Sequence, residues 1–214
     1  MLLVGKIKGV VFDLEGTLID SAKMVLEAWS KAFEDNGYRV NRGVLDGLIG
    51  ASPAKIIREI AGNINDDVFE KLENDFNTNL AARVHLVKPF PDSVQALKTL
   101  RSEDARIGAV SASSSSVVEA LLAKTGLMGL VDASVGGDEV LAGKPDPQIY
   151  REAFRRIGVA PAMGAVVGCS DYDAIPAKKL GALAIVVNRG NPRTVQADLV
   201  FNNLVDAVTE ILNS

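Results

Sequence analysis

Two carboxylates stand one residue apart, Asp13 and Glu15, in the stretch GVVFDLEGTLIDS at residues 9–21. They follow a β-like run, Val10-Val11-Phe12, and precede Gly16 and Thr17. Acids so placed repel each other unless a cation lies nearby, and a lysine can neutralise clustered carboxylates or bind a phosphate. Lys144, in LAGKPDP, is such a residue, and a second acidic group, Asp171 and Asp173, lies in GCSDYDA. Ser111 heads a hydroxyl-rich run, SASSSS, and the N–H groups that open the following helical pattern can hold an anion. Gly16 permits a tight turn directly after the strand.

The elements needed to bring these residues together are legible as a rhythm. Strand-like runs at 8–14, 106–112, 133–137, 164–169, 182–188 and about 198–201 alternate with helical patterns at about 92–103, 115–125, 146–158, 173–180 and 203–213. Such alternation implies an α/β fold, a Rossmann-like three-layer core in which helices cover both faces of a parallel sheet. A purely helical block, with patterns at 20–36, 53–61 and 66–84, interrupts it after the first strand. Ser52-Pro53 supplies a cap and a first-turn proline there. The expected organisation is therefore a core of 1–18 plus 88–214 and an all-helical cap of 19–87. Ligands of such sheets sit beyond the carboxyl ends of the strands, which is where Asp13, Glu15, Ser111, Lys144, Asp171 and Asp173 fall.

Composition narrows the class. The 214 residues carry 23 basic and 27 acidic side chains, a net charge of −4, which argues against a broad nucleic-acid footprint or a polybasic membrane patch. The single cysteine, Cys169, rules out an intrachain disulfide and suits a reducing cytosol. The apolar patch at the N-terminus is broken by Lys6 and Lys8, so neither a signal peptide nor a membrane span is expected there. A cytoplasmic protein, monomer or homodimer, with neither nucleic-acid nor membrane partners, is the expectation.

DLEGTL, VSAS, GKPDP and VGCSDYDA, in this order, resemble the four motifs of the haloacid dehalogenase superfamily, and the resemblance spans essentially the whole chain. The helical insert resembles the cap of its phosphoglycolate phosphatase-like and β-phosphoglucomutase-like branches. The resemblance implies that Asp13 is a nucleophile and that Glu15 is a general acid/base, where the usual residue is Asp. It implies that Ser111 orients the transferring group, that Lys144 steadies nucleophile and phosphate, and that Thr17 braces the loop. Thr17, Ser111, Ala112 and Lys144 would then contact a small phosphorylated metabolite. Mg²⁺ would be held by Asp13, Glu15 (through its carbonyl), Asp171 and Asp173.

Two positions depart from that pattern. Glu15 is a methylene longer than the usual residue, which shifts its proton by about an ångström. Cys169 replaces the acid that usually coordinates the metal, and a thiol is a poor ligand for a hard ion. The first reading is a phosphatase with an attenuated site. The alternatives are a metal-independent 2-haloacid dehalogenase-like hydrolase and a catalytically silent binding protein. Taken singly, Lys144 reads as a surface-turn lysine, Ser114 to Ser116 as a solvated loop and helix cap, Cys169 as a small buried residue, and His85 as structural or exposed. The Met24, Trp29 and Phe33 stripe reads as cap packing, and Lys55 as either facing the site or an exposed helix lysine.

Overall fold

The computed structural model describes residues 6–190 and 194–214. Residues 1–5 and 191–193, which the sequence assigns to the core, lie outside the described residues. Six strands form one sheet: β1 (Gly9–Asp13), β4 (Arg106–Val110), β5 (Ala133–Val135), β6 (Gly164–Gly168), β7 (Leu183–Val187) and β8 (Leu199–Phe201). Their order is β5-β4-β1-β6-β7-β8, and every pairing is parallel. This is the α/β core that the alternation implies.

The sheet is buried on both faces because helices cover both. Val10 and Phe12 of β1 point into the face packed by α5 (Ser93–Ser102), α6 (Ser115–Lys124) and α9 (Leu204–Asn213). Val11 points into the opposite face, with α7 (Gln148–Ile157) and α8 (Asp171–Leu180). Alternate side chains of one strand thus enter two different cores, which explains why all five residues of β1 and all five of β6 are buried.

The helical insert comprises α1 (Ala22–Asp35), α2 (Arg42–Leu48), α3 (Pro53–Ala61) and α4 (Asp66–Ala81). It enters and leaves through a two-residue ribbon, β2 (Ile19–Asp20) antiparallel to β3 (Lys88–Pro89). Leu18 O locks that neck by accepting from Phe90 N at 3.0 Å and Ser93 Oγ at 2.7 Å. Trp29 and Phe76 stack with centroids 3.9 Å apart, and Phe33 lies 5.5 Å from Trp29, so the aromatic stripe holds α1 against α4.

The structure adds one helix the pattern did not announce. RGVLDGL carries two glycines, poor helix formers, yet it forms α2 because Asn41 Oδ1 caps Gly43 N and Val44 N while Leu45 and Leu48 are buried. The expected helix over 66–84 stops at Ala81, and Val84–Leu86 forms a separate 3₁₀ turn. The expected strand over 133–137 ends at Val135, with Gly137–Glu139 turning after it. Among the described residues no helix is long and apolar enough to cross a membrane.

Candidate active site

β1 delivers Asp13 at its last residue, and the turn after it places Glu15 and Thr17. Gly16 adopts φ +81°, a conformation that costs a glycine nothing and other residues much. It also passes beside Cys169, whose sulfur would lie 3.2 Å from an added Cβ. Thr17 Oγ1 donates to Asp13 Oδ2 at 3.1 Å, bracing the turn. Arg189, just beyond β7, holds the same turn from behind by donating to Thr17 O and by pairing with Asp92 at 2.7 Å.

The loop after Val140 brings Lys144 to Asp13 from the opposite side. Its ammonium donates to Asp13 Oδ1 at 2.5 Å and to Asp173 Oδ1 at 2.8 Å, with only 1% of its side chain exposed. Tyr150, on α7, donates to the same Asp173 oxygen at 2.7 Å, and its ring lies 5.3 Å from the ammonium. Asp173 Oδ2 accepts from Cys169 N at 3.0 Å and Ser170 N at 3.2 Å, closing the capping box that starts α8. Gly168 is required for this approach, since a Cβ there would fall 2.2 Å from that of Asp173.

Glu15 reaches the other way. Its Oε1 accepts from Ser111 Oγ at 2.8 Å and Ser113 Oγ at 3.0 Å, while Ser113 N donates to Ser111 Oγ at 2.9 Å. The extra methylene of a glutamate therefore has a local reason, because two hydroxyls beyond the end of β4 fix the carboxylate. A Cβ on Gly137 would sit 2.4 Å from Ala112 O, so that glycine lets this loop close.

Charge is unevenly shared. Asp13, Glu15 and Asp173 are buried with Lys144 as the one cation among them. Burial pushes the Asp13 carboxyl up to about 8; Lys144 pulls it back, and Asp173 and Glu15 push it further up. Burial alone would lower the Lys144 ammonium, but Asp13 and Asp173 outweigh it and hold its pKa well above the ordinary value. Burial, then Asp13 and Asp173, keeps the Cys169 thiol protonated.

Asp13, Cys169 and Asp173 bring potential ligand atoms within 4.8 Å of one another. Asp171 does not join them; its carboxylate accepts from Gln196 N at 2.6 Å in the first turn of α8. Asp173 is saturated by Lys144, Tyr150 and two backbone N–H groups. The Glu15 carboxylate is turned to the serines, and its carbonyl has the Cys169 sulfur 3.6 Å away. A hard divalent cation would find the Asp13 carboxylate, the Glu15 carbonyl and a protonated thiol. That donor set does not fit Mg²⁺, which needs oxygen ligands in near-ideal octahedral order.

Two spaces border this centre beneath α3 and α4, and a third, of about 270 Å³, opens past Glu15 and Cys169 with Arg189 in its wall. The smaller of the two, of about 30 Å³, lies between Asp13, Glu15 and an apolar ceiling of Val25, Trp29, Ile56 and Phe76. The other, of about 530 Å³, runs from Lys144 and Ala112 between α4 and the loop at 137–143. The cap closes onto the core here, with Ser52 N donating to Lys144 O at 3.1 Å. Lys55 is exposed and lines none of these spaces.

Residues 10–187 match the family model of haloacid dehalogenase-like hydrolases. The chain belongs to that family. It is 28% identical to the plasmid phosphoglycolate phosphatase of Cupriavidus necator, over 91% of this chain and 89% of that protein. It is 32% identical to a phosphoglycolate phosphatase of Cereibacter sphaeroides, over 81% of each. A hydrolase from Pseudomonas syringae shares the fold with a TM-score of 0.87 at 22% identity, over 95% of this chain and 97% of that one. In this family member, the sequence placed Ser113 at a strand end without a role and singled out neither Tyr150 nor Arg189. Tyr150 carried a usable signal, standing six residues after Lys144 at the start of a helix. The role of Ser113 was hidden in a run of four serines, and Arg189 acts through a fold contact that no local pattern encodes.

Proposed function

We propose that this hydrolase is a phosphatase of small phosphorylated metabolites that works through Asp13. The observation that carries the reading is the opposed placement of two carboxylates beneath the cap. Asp13 is held between Lys144 and Thr17, and Glu15 is held apart by Ser111 and Ser113. The phosphatases among its relatives support it.

The Asp13 carboxylate attacks phosphorus, and the bond from phosphorus to the alcohol oxygen breaks. Glu15, in its acid form, gives its proton to that oxygen. Glu15 then takes a proton from water, whose oxygen attacks the phosphorus of the aspartyl phosphate and frees inorganic phosphate and Asp13. Lys144 and the Ser111–Ala112 loop face the transferring oxygens. Because the residues present do not fit Mg²⁺, no step passes through it, and Lys144 supplies the positive charge.

The test is hydrolysis of an aryl phosphate with and without chelator. Turnover should persist with chelator, disappear in Asp13→Asn and fall about 10²–10⁴-fold in Glu15→Gln. A wild-type protein that hydrolyses no phosphate ester under any condition would refute the reading. A second reading draws on the apolar ceiling over Asp13 and the missing metal-binding acid. In it, Asp13 displaces halide from the carbon of a 2-haloacid and the resulting ester is hydrolysed. Halide release in the same assay would select it.

A further inference from the structure

The two spaces beneath the cap differ enough to say where a leaving group goes. The space under Trp29 and Phe76 holds about 30 Å³, room for little beyond the reacting atoms. The cleft beyond Lys144 holds about 530 Å³, in the range of small-molecule sites. An alcohol leaving from phosphorus beside Lys144 has its room in the second space.

Beyond Lys144 the charged side chains of that cleft are acidic, set among the apolar Phe69, Val140, Leu141 and Ile149. Glu73 and Asn77 face it from α4, Ser114 and Asp138 from the core. Asp138 is anchored, accepting from Ser115 N at 2.7 Å and Ser115 Oγ at 3.0 Å. Glu73 is half-buried, and among the described residues no cation pairs with it. Burial, then Asp138 and Glu70, raise its pKa, the response of a carboxylate whose counter-charge is absent. Lys144, already shared by Asp13 and Asp173, is the one cation among the described residues that line either space.

Resting on the phosphatase reading, we infer that the substrate is a phosphate monoester whose alcohol carries a positively charged nitrogen, and that Glu73, with Asp138 beside it, is the residue that selects it. The charge ledger of the centre points the same way. A phosphate dianion must enter beside a buried carboxyl cluster whose lysine is already shared by Asp13 and Asp173. An ammonium on the same molecule removes part of that repulsion and lies in the cleft against Glu73. An ester whose alcohol bears a carboxylate, such as phosphoglycolate, would bring further negative charge against the same wall.

O-phosphoethanolamine, 2-hydroxyethyl phosphate and phosphoglycolate differ mainly in that end group, so they are the probes. Two readouts are taken: kcat/KM with the wild-type chain, and binding to Asp13→Asn by calorimetry. The amine ester should lead the neutral one by about tenfold, and the neutral one should lead the carboxylate ester, in both readouts. Glu73→Gln should erase the lead of the amine, and Glu73→Lys should turn the preference toward phosphoglycolate. If the wild-type chain hydrolyses none of the esters while Asp13→Asn still ranks them amine first, the phosphatase reading fails and the selectivity stands. Preference for phosphoglycolate, equal binding of all three, no binding of any, or a ranking unmoved by both Glu73 variants overturns the inference.

Discussion

The two spaces beneath the cap, which share Pro53 and Ala112, are built differently. The smaller is walled by packed apolar side chains of α1, α3 and α4, and its shape is set by the stacking of Trp29 on Phe76. The larger sets Glu73, Asn74, Asn77 and Asp138 among the apolar Phe69, Val140, Leu141 and Ile149. Packing fixes the first, so a change there is paid in stability. Charge and hydrogen bonding fix the second, so a change there alters which molecule is accepted. On the proposed reading, chemistry falls at the packed end of the site and recognition at the end that carries Glu73 and Asp138.

Truncating each wall breaks this comparison most sharply. Trp29→Ala should cost about 3–5 kcal/mol in denaturant unfolding, since it removes a fully buried ring stacked between α1 and α4. Asn74→Ala, on the exposed side of α4 beside the larger cleft, should change stability by less than about 0.5 kcal/mol. Comparable losses would mean that the polar wall is structural too.

Asp13 lines the smaller space, and its effect should carry the opposite sign. Its carboxyl binds its proton more tightly in the folded chain, about 8 against 3.8, so ionising it costs folding free energy progressively as pH rises through that interval. Asp13→Asn should therefore raise stability by about 1 kcal/mol near pH 8, roughly 2–4 °C in Tm, and have a smaller effect near pH 5. Lys144 keeps its partners Asp173 and Tyr150 in that variant. A fall in Tm at pH 8 would show that the Asp13–Lys144 pair outweighs the burial cost. On the proposed mechanism, activity should rise with pH toward about 8, because only the carboxylate attacks.

The smallest expected effect sharpens the electrostatic half of the comparison. Cys169→Asp adds an acid beside Asp13 and Asp173. Its Tm should drop slightly without metal and recover by a few degrees in excess Mg²⁺, as ligand binding adds about 1.4 kcal/mol at ten times Kd. The wild-type Tm should stay unmoved by Mg²⁺. A Mg²⁺-dependent rise in the wild type would show that the Asp13 carboxylate and the Glu15 carbonyl suffice as ligands.

Much of this molecule was legible before its coordinates. Alternating runs of Val and Ile with amphipathic helices dictate a buried parallel sheet, because each strand must cover two faces. Strand ends then carry whatever residue follows the run, and Asp13, Ser111 and Lys144 were visible that way. α2 was not, since its glycines speak against a helix and only burial of Leu45 and Leu48 sustains it. Asp171 and Asp173 looked equivalent in GCSDYDA, yet one turn of helix sends Asp173 to Lys144 and Asp171 to Gln196.

What the chain's order of residues determined by itself was the architecture and the identity of the charged groups at the sheet's edge, because periodicity and turn chemistry are local. What only the tertiary structure decided was who faces whom. Glu15 turned to two serines about a hundred residues away, Tyr150 joined Asp173, and Glu73 and Asp138 came to line one cleft. Those pairings depend on how the cap closes over the sheet, and a contact between distant segments is fixed by the packing of everything between them.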